Sequence, residues 1–273
     1  MNAACIEVIE GDRPLLLAQP HVGIWLPEAV EARLTATGRA RTDTDWHLDR
    51  LYADLLPGAT IVRARFSRYL IDPNRPPDDR SLYPGRNTTG LCPLTDFDGR
   101  PLYLEGKEPD AAECSARLAD YWKPYHEAID RQLARLRRRF DHVLLYDCHS
   151  IRSRIPRLFE GRLPDLNLGT NDRRSAHPLL IETAQRVLAE AAGRGFTRVT
   201  DGRFKGGYTT RHYGRPAAGV SALQMELAQA AYMLEEPPWS WIEERAARLR
   251  PVLAGLLSAL LELLEDRIIG EGT

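Results

Sequence analysis

The sequence has few cysteines, and their spacing indicates no redox or metal-binding scaffold. The four cysteines among 273 residues stand at positions 5, 92, 114 and 148 and form no Cys-x-x-Cys pair. This spacing argues against a disulfide framework and against a structural zinc knuckle. The Gly-x-Ser-x-Gly, Gly-x-Gly-x-x-Gly and P-loop motifs are also missing. A serine hydrolase or a nucleotide-binding enzyme therefore has no support.

An excess of charge of one sign is missing as well. Lys and Arg total 37 and Asp and Glu total 38, so no overall field would attract nucleic acid or anionic lipid. The longest apolar run, near residues 253–264, contains Ser258 and Glu262 and is too short to span a bilayer. Residues 1–23 show no basic segment followed by an apolar stretch. We expect a soluble cytoplasmic protein that binds neither nucleic acid nor membrane, and the oligomeric state stays open.

The composition favours a folded α/β protein. Hydrophobic residues make up 43% of the chain and charged residues 27%, which is enough for a substantial core. Strand-like runs alternate with helical segments of ten or more residues, a pattern typical of a sheet with helices on both faces. The first two strands follow each other closely enough to predict a hairpin or a strand pair. The predicted strands are 6–9, 15–18, 60–66, 142–147, 197–200 and 220–227, and the predicted helices are 27–38, 46–56, 110–139, 178–192 and those within 237–268.

Three stretches predict irregular structure. Residues 72–110 form a long loop rich in proline and glycine, and a loop of this length is usually functional or disordered. Residues 151–174 and the glycine-rich residues 202–219 are the other two. No repeat or linker is evident, so we expect one domain over residues 1–273.

Histidines stand at the ends of two predicted strands. His21 follows the second strand, and His149 follows the central one. Each can be a hydrogen-bonded loop residue or a metal ligand. Asp43, Asp45 and His47 are nearby residues that could complete a metal site. A catalytic zinc site needs three nitrogen or oxygen side chains and one open position. Cys148 precedes His149, but neighbours in a strand point apart, so this pair does not indicate a thiol protease.

Glu226 lies in an otherwise apolar run that predicts a strand. A carboxylate buried there is costly without a partner. It can form an ion pair with an arginine or face water, or it can act as a general base next to a metal. Arginines in polar loop segments, among them Arg68, Arg75 and Arg211, likewise fit either ion pairs or a carboxylate-binding pocket.

Six segments together resemble N-formylglutamate amidohydrolases, also called N-formylglutamate deformylases. They occur in order over roughly residues 5–235, and their combination is more specific than any one of them. The segments are PHVG at 20–23, DTDWHLD at 43–49, SRYLIDPNR at 67–75, DCHS at 147–150, GGY at 206–208 with RHYG at 211–214, and QME at 224–226.

The resemblance implies a fold and a metal site. That family is similar to zinc carboxypeptidases and amidases, with a mixed α/β sheet flanked by helices. It implies one Zn²⁺ per chain, with His21 and His149 as ligands and Glu226 as the catalytic base. The middle ligand of related zinc amidases is an acid, and Asp45 is the position matched to it. The His-x-x-Glu pattern of carboxypeptidases is absent, since residue 24 is isoleucine.

The resemblance also implies a reaction: hydrolysis of N-formyl-L-glutamate to formate and L-glutamate, the last step of one histidine-degradation route. A small dicarboxylate substrate accounts for arginines around a pocket, and Arg68, Arg75 and Arg211 are the candidates. Asn74, Tyr208 and His212 are expected to orient the amide or the developing oxyanion. Two alternatives stay open, namely an amidase or peptidase for another N-acyl amino acid and a metal-free binding protein of the same fold.

Overall fold

Seven strands form one mixed sheet in the computed structural model, which describes residues 5–266. The sheet order is β1-β3-β2-β4-β7-β5-β6. β1 is antiparallel to β3 and β5 is antiparallel to β7, while the other neighbours are parallel. The predicted mixed α/β sheet is therefore confirmed. The strands are β1 (Ile6–Ile9), β2 (Leu15–Gln19), β3 (Thr60–Ala64), β4 (Val143–Ile151), β5 (Leu166–Gly169), β6 (Arg198–Thr200) and β7 (Val220–Ala228).

Helices cover both faces of this sheet. One apolar layer joins the sheet to α3, α6 and α8, and the layer on the opposite face joins it to α5. Among residues 5–266, no helix combines the length and the apolar character needed to cross a membrane. The helices are α1 (Glu28–Glu31), α2 (Ala36–Ala40), α3 (Leu48–Tyr52), α4 (Ala111–Arg117), α5 (Lys123–Arg137), α6 (Pro178–Ala192), α7 (Tyr208–Tyr213) and α8 (Glu243–Glu265).

The central strands β4 and β7 explain how polar side chains reach one end of the core. Successive side chains of a strand point to opposite faces. In β4, Tyr146 and Cys148 enter one apolar layer, so Asp147 and His149 point to the other face. The parallel register pairs Asp147 with Gln224 and His149 with Glu226. Four polar side chains are thus placed on one face, near the carboxyl ends of adjacent strands.

The structure differs from the sequence-based prediction at both edges of the sheet. The predicted pairing of the first two strands is wrong, because β3 lies between β1 and β2 and bonds to both. β5 lies in the stretch 151–174 that was predicted to be irregular. It is only four residues long and fully buried, too short to show a period. The short helix α7 likewise lies within the predicted loop 202–219.

The predicted helices are correct in place and partly wrong in extent. The helix predicted over 27–38 is two short helices, α1 and α2. The helix predicted over 110–139 begins after Asp110, whose carboxylate accepts the backbone N–H of Glu113 at 2.8 Å. It contains one π-helical turn, Leu118–Trp122, before α5. Of the final segment, 267–268 lies outside the described residues, and α8 is one helix that includes Pro251.

The long loop of residues 72–110 contains no helix and no named strand, as predicted. It is tied together by buried carboxylates. Asp96 accepts backbone N–H groups of Asp98 and Arg100 at 3.0 and 2.8 Å. Side chains of this loop line the pocket described below, so the loop forms part of the candidate site.

Candidate metal centre and substrate pocket

Three buried side chains converge at the carboxyl edge of the sheet. His21 follows β2, Asp45 precedes α3, and His149 lies near the end of β4. One ligand atom from each lies within 4.8 Å of the other two. Asp45 Oδ2 is 3.8 Å from Nδ1 of His21 and 3.4 Å from Nδ1 of His149. Two imidazole nitrogens and one carboxylate are a donor set of the kind found in catalytic zinc sites.

The other nitrogen of each imidazole faces a second buried carboxylate. His21 Nε2 lies 2.7 Å from Asp72 Oδ1, and His149 Nε2 lies 3.0 Å from Asp147 Oδ1. Metal-binding histidines usually direct their second nitrogen to a carboxylate or carbonyl, which fixes the ring. In this geometry the two Nδ1 atoms, rather than the Nε2 atoms, face Asp45. The three predicted ligands therefore lie together, and His21 Nδ1 is also 3.2 Å from Arg68 Nη1.

Asp72 connects this cluster to an arginine. Its carboxylate is fully buried and accepts hydrogen bonds from Arg68 Nη2 at 2.7 Å and from the backbone N–H of Asn74 at 2.9 Å. Burial alone would raise the pKa of Asp72, but His21, Arg68 and Arg75 outweigh it and hold that pKa well below its usual range. Burial lowers the pKa of His21, and the neighbouring Arg68 lowers it further.

Glu226 lies beside His149 in the register of β7 and β4, as a base at a metal centre would have to. Gln224 Nε2 donates to its Oε2 at 3.2 Å. Burial raises the pKa of Glu226 to about 8; His149 acts in the opposite direction, and Asp45 adds to the increase.

Buried carboxylates outnumber buried guanidinium groups at the site. Asp45, Asp72, Asp147 and Glu226 are four buried carboxylates, and Arg68 is the buried guanidinium among them. Asp45 Oδ1 is buried without a hydrogen-bond partner in residues 5–266. Buried carboxylates need a compensating charge or hydrogen bonds. A divalent cation between His21, Asp45 and His149 would supply that charge, so these residues fit a metal ion.

A pocket opens beside the cluster, and several predicted binding residues line it. Its lining includes His21, His149 and Glu226. Arg68, Asn74 and Arg75 also lie on the wall, as expected for groups that contact the substrate. The Asp72 carboxylate accepts a hydrogen bond from Arg68. Arg75 is instead oriented by the backbone, because its Nε donates to the carbonyl oxygen of Thr89 at 2.9 Å.

Tyr208, Arg211 and His212 are not among the residues that line this pocket. They lie on α7, where the ring of Tyr208 packs against His126 of α5 with ring centroids 5.1 Å apart. The Tyr208 and His212 rings stack with centroids 4.8 Å apart, and the Arg211 guanidinium lies over the ring of Tyr83. α7 still supports the site, because the backbone N–H of Thr209 donates to Asn74 Oδ1 at 2.9 Å.

Comparison with known proteins decides the family. The sequence model of N-formylglutamate amidohydrolase matches residues 13–233. The chain belongs to the N-formylglutamate amidohydrolase family. The resemblance read from the sequence motifs is thereby confirmed.

Two relatives within this family are N-formylglutamate deformylases. The protein of Pseudomonas aeruginosa is 51% identical over 253 residues, 92% of this chain and 94% of the relative. The protein of Pseudomonas putida is 49% identical over 255 residues, with coverage of 92% and 94%.

Two solved structures are similar in fold to this chain. The crystal structure of N-formylglutamate amidohydrolase from Ralstonia eutropha JMP134 superposes with a TM-score of 0.81 at 28% identity, covering 96% of this chain and 99% of that chain. A gene product of Agrobacterium tumefaciens shares the fold, with a TM-score of 0.69, 20% identity and 96% coverage of both chains.

Three residues of the site were given no role on the basis of the sequence. Asp72 and Asp147 lie inside the motifs quoted for the family, but no role was assigned to them. The two-residue period of β4 could have identified Asp147, since it points to the same face as His149. Arg203, which lies on the pocket wall after β6, carries no such signal.

Proposed function

We propose that this chain hydrolyses N-formyl-L-glutamate to formate and L-glutamate, with a zinc ion held by His21, Asp45 and His149. The observation that carries the proposal is the convergence of these three buried side chains beside a pocket that also presents Glu226 and arginines. Two relatives that cover more than 90% of this chain are deformylases, which supports the reaction.

The metal ligands and the base would have separate roles. A zinc ion at the cluster would supply Lewis acidity to the formyl carbonyl and would lower the pKa of water to about 7. Asp72 and Asp147 would fix the two imidazole rings. Glu226, buried next to His149, would accept the proton of the attacking water and deliver it to the leaving nitrogen. Gln224 would hold the Glu226 carboxylate in place through its hydrogen bond.

The pocket wall favours an anionic substrate. N-formylglutamate carries two carboxylates, and arginine binds a carboxylate with two parallel hydrogen bonds. Arg75 lies next to Asn74, which is 3.0 Å from His149 through its Nδ2 atom. Arg75 would therefore bind the carboxylate nearest the scissile amide, and Asn74 would orient that amide. Arg68 remains a candidate for the same role, with its guanidinium fixed by Asp72.

The test follows release of the free amino acid from each substrate by purified protein whose zinc content is known. We expect turnover of N-formylglutamate, slower turnover of N-formylmethionine and of N-acetylglutamate, and loss of activity on dialysis against a chelator with recovery on adding zinc. Equal turnover of N-formylmethionine would contradict the dicarboxylate pocket. Full activity of metal-depleted protein would contradict the metal site. Histidine degradation, the cytoplasmic location and the single domain remain predictions of the sequence.

A further inference from the structure

Arg203 differs from the other two arginines on the pocket wall in its partners. Arg68 is paired with Asp72 at 2.7 Å, and Arg75 lies 3.8 Å from the same carboxylate. Arg203 has no carboxylate within 4 Å anywhere in the described range 5–266. Its guanidinium nevertheless lines the pocket that contains the metal-site histidines.

The protein fixes this guanidinium without neutralising it. Arg203 Nε donates to the carbonyl oxygen of Leu158 at 2.9 Å, and Nη2 donates to the carbonyl oxygen of Asn87 at 3.0 Å. The rings of Tyr83 and Phe204 lie 5.3 and 5.1 Å from the guanidinium carbon. Such contacts orient an arginine in advance, so that little side-chain entropy is lost when an anion binds.

The charges around Arg203 are mostly of the same sign. Burial lowers the pKa of Arg203; Tyr83 and Glu226 raise it, while Arg86 and Arg75 lower it further. A half-buried cation beside other cations attracts an anion into the pocket. Carbonyl oxygens satisfy two of its nitrogens, and Nη1 makes no hydrogen bond to any residue from 5 to 266.

We propose that Arg203 binds the side-chain carboxylate of the substrate and thereby determines the preference for acidic N-formyl amino acids. The inference rests on the proposed function and adds a specificity residue to it. With the formyl group at the metal cluster, the nearer carboxylate faces Arg75 beside Asn74. The second carboxylate is separated from the α-carbon by two methylene groups and would extend toward the part of the wall that Arg203, Tyr83 and Phe204 form.

The experiment compares N-formylglutamate with N-formylglutamine, which has the same shape but no second charge. Arg203→Gln should lower kcat/KM for N-formylglutamate on the order of 100-fold, since a desolvated carboxylate would lose its partner. It should leave kcat/KM for N-formylglutamine nearly unchanged. Arg203→Lys should recover part of the loss, because lysine keeps the charge but not the fork. Arg86→Gln removes an exposed charge of the same sign outside the pocket wall and serves as the matched control.

Two results would overturn the inference: an equal loss on both substrates, or no loss on N-formylglutamate. Titration of the zinc-loaded proteins with L-glutamate and L-glutamine provides a readout independent of turnover. Arg203→Gln should weaken binding of L-glutamate alone, and unchanged L-glutamate affinity would refute the role of Arg203. Absence of formate release by the unmodified protein would instead refute the proposed function, and the titration would still test Arg203.

Discussion

Asp72 is the residue whose replacement tests the organisation of the site most directly. Asp72→Asn keeps the shape of the side chain but removes its charge. Arg68 would then be a buried cation without its carboxylate partner at 2.7 Å. Removing one member of a buried pair costs about 3–5 kcal/mol, a large share of the ~5–15 kcal/mol typical of a folded protein. For a chain of this size, that lowers Tm by roughly 10 °C.

The same change should weaken metal binding. Asp72 Oδ1 lies 2.7 Å from His21 Nε2, and loss of such a partner typically lowers metal affinity about 10–100-fold. Calorimetric melting of metal-free protein and a competitive zinc titration measure the two effects separately. As a control, Glu190→Gln breaks the exposed pair with Arg186 and should cost less than about 1 kcal/mol.

A double variant distinguishes an unpaired charge from a general packing defect. Arg68→Met with Asp72→Asn removes both charges of the pair, so it should be less destabilised than Asp72→Asn alone, because neither partner is left charged without the other. If Asp72→Asn melts at the temperature of the unmodified protein and binds zinc equally well, the ion pair and the imidazole contact have no energetic role. The argument from the buried charges would then be wrong.

Two further predictions concern the base and the dependence of stability on pH. Glu226→Gln should lower turnover roughly 10²–10⁴-fold with zinc retained, whereas Asp45→Asn should lower the zinc content. Metal analysis and the formate assay, applied to both variants, measure the two effects. Loss of zinc in Glu226→Gln and its retention in Asp45→Asn would exchange the two roles. Burial lowers the pKa of His126 from 6.5 to about 3, so the unfolded chain takes up a proton first as the pH falls. Stability should be complete above pH 6.5 and decrease between pH 6.5 and 3 by up to about 1.4 kcal/mol per pH unit. His126→Gln should reduce that slope in urea titrations, and an identical slope would contradict the assignment.

The sequence predicts those parts of the fold and site that depend on long, regular elements. The strand at 142–147 and the strand at 220–227 are long and apolar, so they are recognisable without a structure. His21, His149 and Glu226 stand out because a polar residue at the end of such a strand is unusual. Parallel strands end at the same edge of a sheet, and β2 and β4 are neighbours. Residues far apart in the chain are therefore brought together by topology.

The remaining features depend on contacts that have no local pattern. Arg211 and Arg203 both lie in glycine-rich sequence near an irregular segment, and only the fold decides which one reaches the pocket. Arg211 is on α7, and Arg203 donates to the carbonyl oxygen of Leu158 on the pocket wall. Both guanidinium groups lie over the ring of Tyr83, in the loop of residues 72–110. This loop has no regular structure, so its path is set by individual hydrogen bonds. The sequence alone therefore could not show that Arg203, rather than Arg211, lines the pocket.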